Sequence, residues 1–140
     1  MEALGRTLNI LPTGDDKYVN MRDAGVVVFL CVGGNAETFT LTEAKDAAGT
    51  GAQALATLTR IYVNAGAAGA TTWATATPTS GSVATTTTAL PVAIIQVSGA
   101  ELSDTYDYLK VASSSTGLVT PITSDLTMQR APENLPAIGA

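Results

Sequence analysis

The chain of 140 residues contains no histidine, a single cysteine, and charged side chains at only 14% of its positions. Each shortage excludes something. Without histidine, serine or cysteine triads built on an imidazole base are ruled out. General acid–base chemistry is left with paired carboxylates. Zinc lacks its usual cysteine and histidine ligands. Cys31 has no partner for an internal disulfide. It lies inside the apolar run Val26–Val32, where a free thiol reads as a small hydrophobe and implies synthesis in a reducing compartment. That run is the longest apolar stretch, far short of the roughly 20 residues of a membrane-spanning helix. Residues Met1 to Arg6 lead into mixed sequence rather than a long apolar region, so no signal peptide is expected.

Cations are scarce as well. The seven basic residues (Arg6, Lys17, Arg22, Lys45, Arg60, Lys110 and Arg130) are scattered, and the net charge is -5. Phosphate backbones are bound by clustered cations that displace counterions, so direct nucleic-acid contact is not expected. The acids form no catalytic constellation. Asp15 and Asp16 are adjacent and read as a solvated turn. Asp104 and Asp107 flank Tyr106 and read as turn or capping residues. Thr13–Asp16 and Glu101–Asp104 are too sparse for a calcium loop. Gly49-Thr50-Gly51 lacks the lysine of a phosphate loop. No catalytic residue, metal ligand or cofactor site is nominated.

What the chain does have is β-forming material. Hydrophobic residues make up 46% of it, and at this length a domain buries roughly 68% of its unfolded surface. Thr38, Thr40 and Thr42 alternate with Phe39 and Leu41, predicting a strand with one wet face. Tyr106, Tyr108 and Lys110 alternate with Asp107, Leu109 and Val111. Val92–Val97 reads as an apolar central strand. Thr72–Thr77 alternates around Trp73, which is expected as a core or interface anchor. Leu118, Ile122, Leu126 and Met128 share one parity, interrupted by Pro121, which predicts an edge or a bend there. Gln53–Val63 carries helical spacing at Leu55, Leu58 and Tyr62, but its threonines, Ile61 and Val63 favour a strand from about Ala54. One or two helical turns are expected at Glu43–Ala48, and a single turn at Glu101–Asp104. Turn signals such as Gly33-Gly34-Asn35 and Ser113–Gly117 punctuate the strands. The expected fold is all-β, an antiparallel β-sandwich or small barrel with one or two short helical turns and extended termini. Residues 1–129 form one domain, the first ~15 as a candidate extended arm. Residues 130–140 form a proline-bearing C-terminal arm.

Three segments carry a resemblance: Leu8–Asp15, Phe39–Gln53 and Asp125–Pro136. Together they resemble small structural proteins of tailed bacteriophages and prophages, of the capsid-decoration or head-accessory kind. The resemblance implies a non-enzymatic virion protein on the capsid exterior, synthesised in the host cytoplasm. It would stiffen an icosahedral shell by bridging neighbouring major capsid subunits, acting as a trimer or dimer, with no cofactor, membrane or direct nucleic-acid contact. Candidate interface residues are Leu8, Ile10, Leu11 and Pro12 at one end, and Arg130, Pro132, Leu135 and Pro136 at the other. The same segments are equally suited to covering open edges of their own domain. Two other readings stand beside this one. One is a tail or head–tail connector subunit that closes rings by strand pairing. The other is a carbohydrate-binding or adhesion module that presents Trp73, or Tyr106 and Tyr108, as an aromatic platform.

Overall fold

The computed structural model describes residues 8–10, 14–34, 36–56, 58, 60–64, 72–78, 81–84 and 91–126. In chain order the strands are β1 (Leu8–Ile10), β2 (Val19–Asn20), β3 (Ala24–Val32), β4 (Thr38–Ala44), β5 (Gln53–Ala54), β6 (Arg60–Asn64), β7 (Ala74–Thr75), β8 (Ser82–Ala84), β9 (Val92–Ser98), β10 (Tyr108–Ser113) and β11 (Leu118–Leu126). One sheet has the order β1-β11-β3-β9-β6-β7; the second has the order β2-β10-β4-β5, with β8 also on β4. All strand pairs are antiparallel. The two sheets stay open and pack face to face, so the fold is an all-β sandwich and not a barrel.

The two central strands β3 and β9 arise where β-branched residues are dense, at Val26–Val28 and Val92–Ile95, because branched side chains fit a pleated surface. Their inward positions (Val27, Phe29 and Cys31 on β3; Ala93, Ile95 and Val97 on β9) meet Phe39, Leu41, Leu109 and Val111 from the other sheet in one hydrophobic core. β9 is central, as its composition predicts. The alternations of β4 and β10 hold too, with Phe39, Leu41, Leu109 and Val111 fully buried.

Four expectations are corrected. Pro121 marks neither an edge nor a bend: β11 runs between β1 and β3, and its register to β3 continues through Pro121↔Phe29. The carbonyl of Val119 accepts from the Gly14 N–H at 2.7 Å. Residues of that parity therefore turn their backbone polar groups away from β3, and the missing N–H of proline costs the β3 ladder nothing. Gly14 also packs flat on the proline ring, where a Cβ would stand 2.5 Å from Pro121 Cδ. Secondly, Glu43 and Ala44 close β4 rather than open a helix. The loop that follows is tied by Asp46, whose Oδ1 accepts from the N–H groups of Ala48 and Thr50 at 3.0 Å each. Thirdly, the helical turn expected at 101–104 is a 3-10 turn at Gly99–Glu101, set by a capping box between Ser98 and Glu101. Lastly, Gln53–Val63 is two strands with a break between them, and Thr72–Thr77 pairs only at Ala74–Thr75.

Residues 14–16 tie the sheets together. Gly14 still bonds β11 of the first sheet, while the Asp16 N–H donates to the Val111 carbonyl of β10 in the second at 2.9 Å. The chain then enters β2, which pairs with β10. On the far side of the second sheet, β8 and β5 share one edge of β4 end to end. Gly81 stands at the join with φ +75°, a conformation that favours glycine, and its carbonyl accepts from the Leu41 N–H.

Candidate interaction surface

The groups that could do chemistry are engaged inside the fold. Glu43 is fully buried. Its Oε1 accepts from Gln53 Nε2 at 2.7 Å and from Ser103 Oγ at 2.6 Å, and its Oε2 accepts from the Ser103 N–H at 2.8 Å. These bonds clasp the loop before β10 onto the end of β4. Glu37 is buried beside Ser113, whose hydroxyl is 3.2 Å from its Oε1. Cys31 is buried in the core, and that burial, followed by the negative charge of Asp15, pushes its thiol well above the usual range. A thiol held protonated is a poor nucleophile and a poor metal ligand. Among the described residues, no three His, Cys, Asp or Glu side chains cluster to hold a metal ion.

The two outer faces of the sandwich differ in character. On the second sheet, Thr38, Thr40 and Thr42 of β4 stand beside Tyr108, Lys110 and Ala112 of β10. The cations here are paired. Lys110 Nζ lies 2.6 Å from Asp16 and 5.1 Å from the centre of the Tyr18 ring. Arg22 lies 2.9 Å from Asp107 and 5.9 Å from the Tyr108 ring, and the hydrogen bond to Asp107 raises its pKa above the ordinary value. Lys45 sits 5.5 Å over the Tyr106 ring. Tyr106 and Tyr108 are thus capped by cations and do not form an open platform. Tyr108 also lies on the other sheet from β7, the strand that follows Trp73.

On the first sheet the outer face is aliphatic. Strand alternation points Val26, Val28, Leu30 and Val32 of β3 outward, because Val27, Phe29 and Cys31 point in. The register sets one row across the sheet, Thr120–Leu30–Ile94–Tyr62, and a second, Leu118–Val32–Val92–Asn64. β11 follows the same logic. Its buried parity is Val119, Pro121 and Thr123, which leaves Leu118 and Ile122 facing out. The exposed large hydrophobics lie on or beside this face: Ile10 at 59%, Leu118 at 53%, Trp73 at 45% and Tyr62 at 43%. Tyr62 pairs with Thr75, so Trp73, two residues before Thr75, falls on the same side at the β7 margin. Trp73 is therefore not a core residue. Among the described residues, alternation places no acidic side chain outward on β11, β3, β9 or β6; Asp125, on the other parity, is exposed at the end of β11.

Of the candidate interface residues, β1 places Leu8 opposite Ser124 and Ile10 opposite Ile122. Ile10 thereby adjoins the aliphatic face. Leu11, Pro12, Arg130, Pro132, Leu135 and Pro136 lie outside the described residues, as does the domain boundary expected after Gln129. The outward valines and Leu30 were not nominated from sequence. The signal for them is the failure of Val26–Val32 to alternate, since continuous apolar runs mark strands covered on both faces. No protein-family model matches the chain, and neither a curated protein nor a solved structure matches it.

Proposed function

We propose that the chain is a non-enzymatic virion structural protein that decorates an icosahedral phage shell and stabilises it by bridging neighbouring major capsid subunits. The observation that carries this reading is the division of labour within the sandwich. Glu43, Asp16, Asp107 and Cys31 are engaged in holding the fold, while apolar surface is left outward on one sheet. Proteins whose work is contact rather than conversion concentrate apolar area in one patch. In this reading the terminal segments, Leu8–Pro12 and Arg130–Pro136, supply contacts to the capsid from its exterior.

The test is the composition of purified particles made from the genome that carries the gene. Mass spectrometry should find the chain in near-stoichiometric ratio to the major capsid subunit. A few copies per particle selects the tail or connector reading, and absence from the particle refutes both. Truncation after Gln129 then assigns the arm: loss of shell binding at an unchanged melting temperature is expected, and unfolding of the truncated domain refutes the assignment.

A second reading, a carbohydrate-binding or adhesion module, draws on the exposure of Trp73. It requires glycans to quench Trp73 fluorescence, and a panel without response removes it.

A further inference from the structure

We infer that the outer face of the six-stranded sheet is a self-association surface, occupied by the same face of a second copy of this chain. The reasoning begins with what the face lacks. Each chain carries a net charge of -5, so two copies repel wherever their acids meet. Strand alternation puts no acid at the outward positions of β11, β3, β9 and β6 among the described residues and a single cation, Arg60, at one corner; the exposed Asp125 stands on the other parity, at the far end of β11. This is an approach on which two acidic copies keep carboxylates out of the centre of the contact. An acidic or a basic partner would find almost nothing to pair with there.

Size points the same way. With strands about 4.8 Å apart and same-face residues about 6.7 Å apart, four strands and four residues per strand span about 500 Å². Ile10 on β1 and Trp73 beside β7 extend the patch at opposite margins. Two copies therefore bury somewhat more than about 1,000 Å², the threshold for a stable interface. The margins also carry Tyr62, and tyrosine and tryptophan are the side chains most often found at the energetic centres of such contacts.

Geometry completes the picture. Twisted antiparallel sheets stack face to face about 10 Å apart with strands nearly aligned, which is the packing already inside this sandwich. Repeated across the outer face by a two-fold axis, it makes a stack of four sheets. Leu30 and Ile94, neighbours in the central row, then stand near the axis. A two-fold contact of this kind closes at two copies.

The test uses the full chain in sedimentation equilibrium across a concentration series. Wild type should give twice the chain mass of 14.2 kDa. Ile94→Lys and Thr120→Lys, both at outward positions, should weaken the dimer at least about tenfold while keeping the native circular dichroism spectrum. Ala112→Lys, on the outer face of the other sheet, should leave it intact. Should Ile94→Lys fail to fold, Thr120→Lys decides alone, since it replaces one polar side chain by another. A monomeric wild type overturns the inference, including a monomer in which residues 127–140 cover the face. So does a dimer indifferent to both lysines, and so does a trimer or ring. The outcome is separable from the virion reading. A monomer that decorates shells removes only the pairing, and a dimer absent from particles removes only the decoration.

Discussion

Replacing Glu43 with alanine isolates one polar commitment of the core. The side chain is fully buried and accepts three hydrogen bonds, two from Ser103 and one from Gln53. A hydrogen bond to a charged group contributes about 1.5–3 kcal/mol, but withdrawing a carboxylate from water offsets much of the sum of three. What the alanine leaves behind sets the scale: a Ser103 N–H without its acceptor, about 1–3 kcal/mol, and a cavity the size of the lost side chain, about 1–2 kcal/mol. The expected loss is about 3 kcal/mol, or a fall in melting temperature on the order of 10 °C. Glu43→Gln keeps the volume. Its oxygen can serve the Ser103 N–H, while its amide donates to the Ser103 hydroxyl and Gln53 turns its own oxygen inward. That variant should lose only about 1 kcal/mol. Urea unfolding followed by far-ultraviolet circular dichroism measures both, with the midpoint moving at constant slope. If alanine costs less than about 0.5 kcal/mol, or glutamine costs as much as alanine, the clasp does not stabilise the fold as argued.

Gly14→Ala should destabilise by about 1–3 kcal/mol, because its methyl group would stand 2.5 Å from Pro121 Cδ and the ring cannot fold away; a thermal melt unchanged from wild type would show that the crossover is loosely packed. Cys31 should resist a thiol-specific chromogenic reagent in the native state and react in urea only as the protein unfolds, since burial both blocks the thiol and holds its proton; rapid labelling without denaturant would contradict its placement. The Asp46 carboxyl is held below the ordinary 3.8, first by hydrogen bonding to Thr50 and then to the Ala48 and Gly49 amides. Its contribution to the 45–50 loop is therefore present above the unfolded value and is lost as pH falls through the lower, folded one. The Thr50 amide resonance, followed through an acid titration, should shift with a midpoint under 3.8, and a midpoint at or above it refutes the turn geometry.

Much of the sandwich was legible because burial on one face writes a period of two into the sequence. Phe39/Leu41 and Leu109/Val111 are buried where alternation puts them, and the unbroken apolarity of Val92–Val97 marks a central strand. Where the signal was local, tertiary context overrode it. Glu43–Ala48 is made of good helix formers, but Glu43 and Ala44 are held in register with Leu109 and Tyr108 of β10. Pro121 looked like a breaker because one sequence does not say which neighbour its nitrogen faces. The outer aliphatic face is present in the sequence as a run without alternation: Val26 through Val32 is apolar on both parities, and the two parities need two covers. Only the register showed which parity the core takes, and a one-residue slip would exchange the two. Six of the eight candidate interface residues lie outside the described residues, and the two on β1 gained their meaning from pairing with β11 rather than from their own composition.

The pairing of the first strands with the last has a consequence for biogenesis. β1 finds its ladder on β11, β2 on β10, and the Gly14–Asp16 crossover bonds Val119 and Val111, all about a hundred residues along the chain. Neither sheet can be completed until β10 and β11 have been synthesised. On the ribosome, β3 would wait with one flank and β4 with another still unpaired. Contacts this distant in sequence place folding in the millisecond-to-second range typical of all-β topologies. During that interval the chain's own apolar strands are its chief hazard. Solubility of the newborn protein therefore depends on how quickly β10 and β11 arrive, more than on the stability of the finished fold.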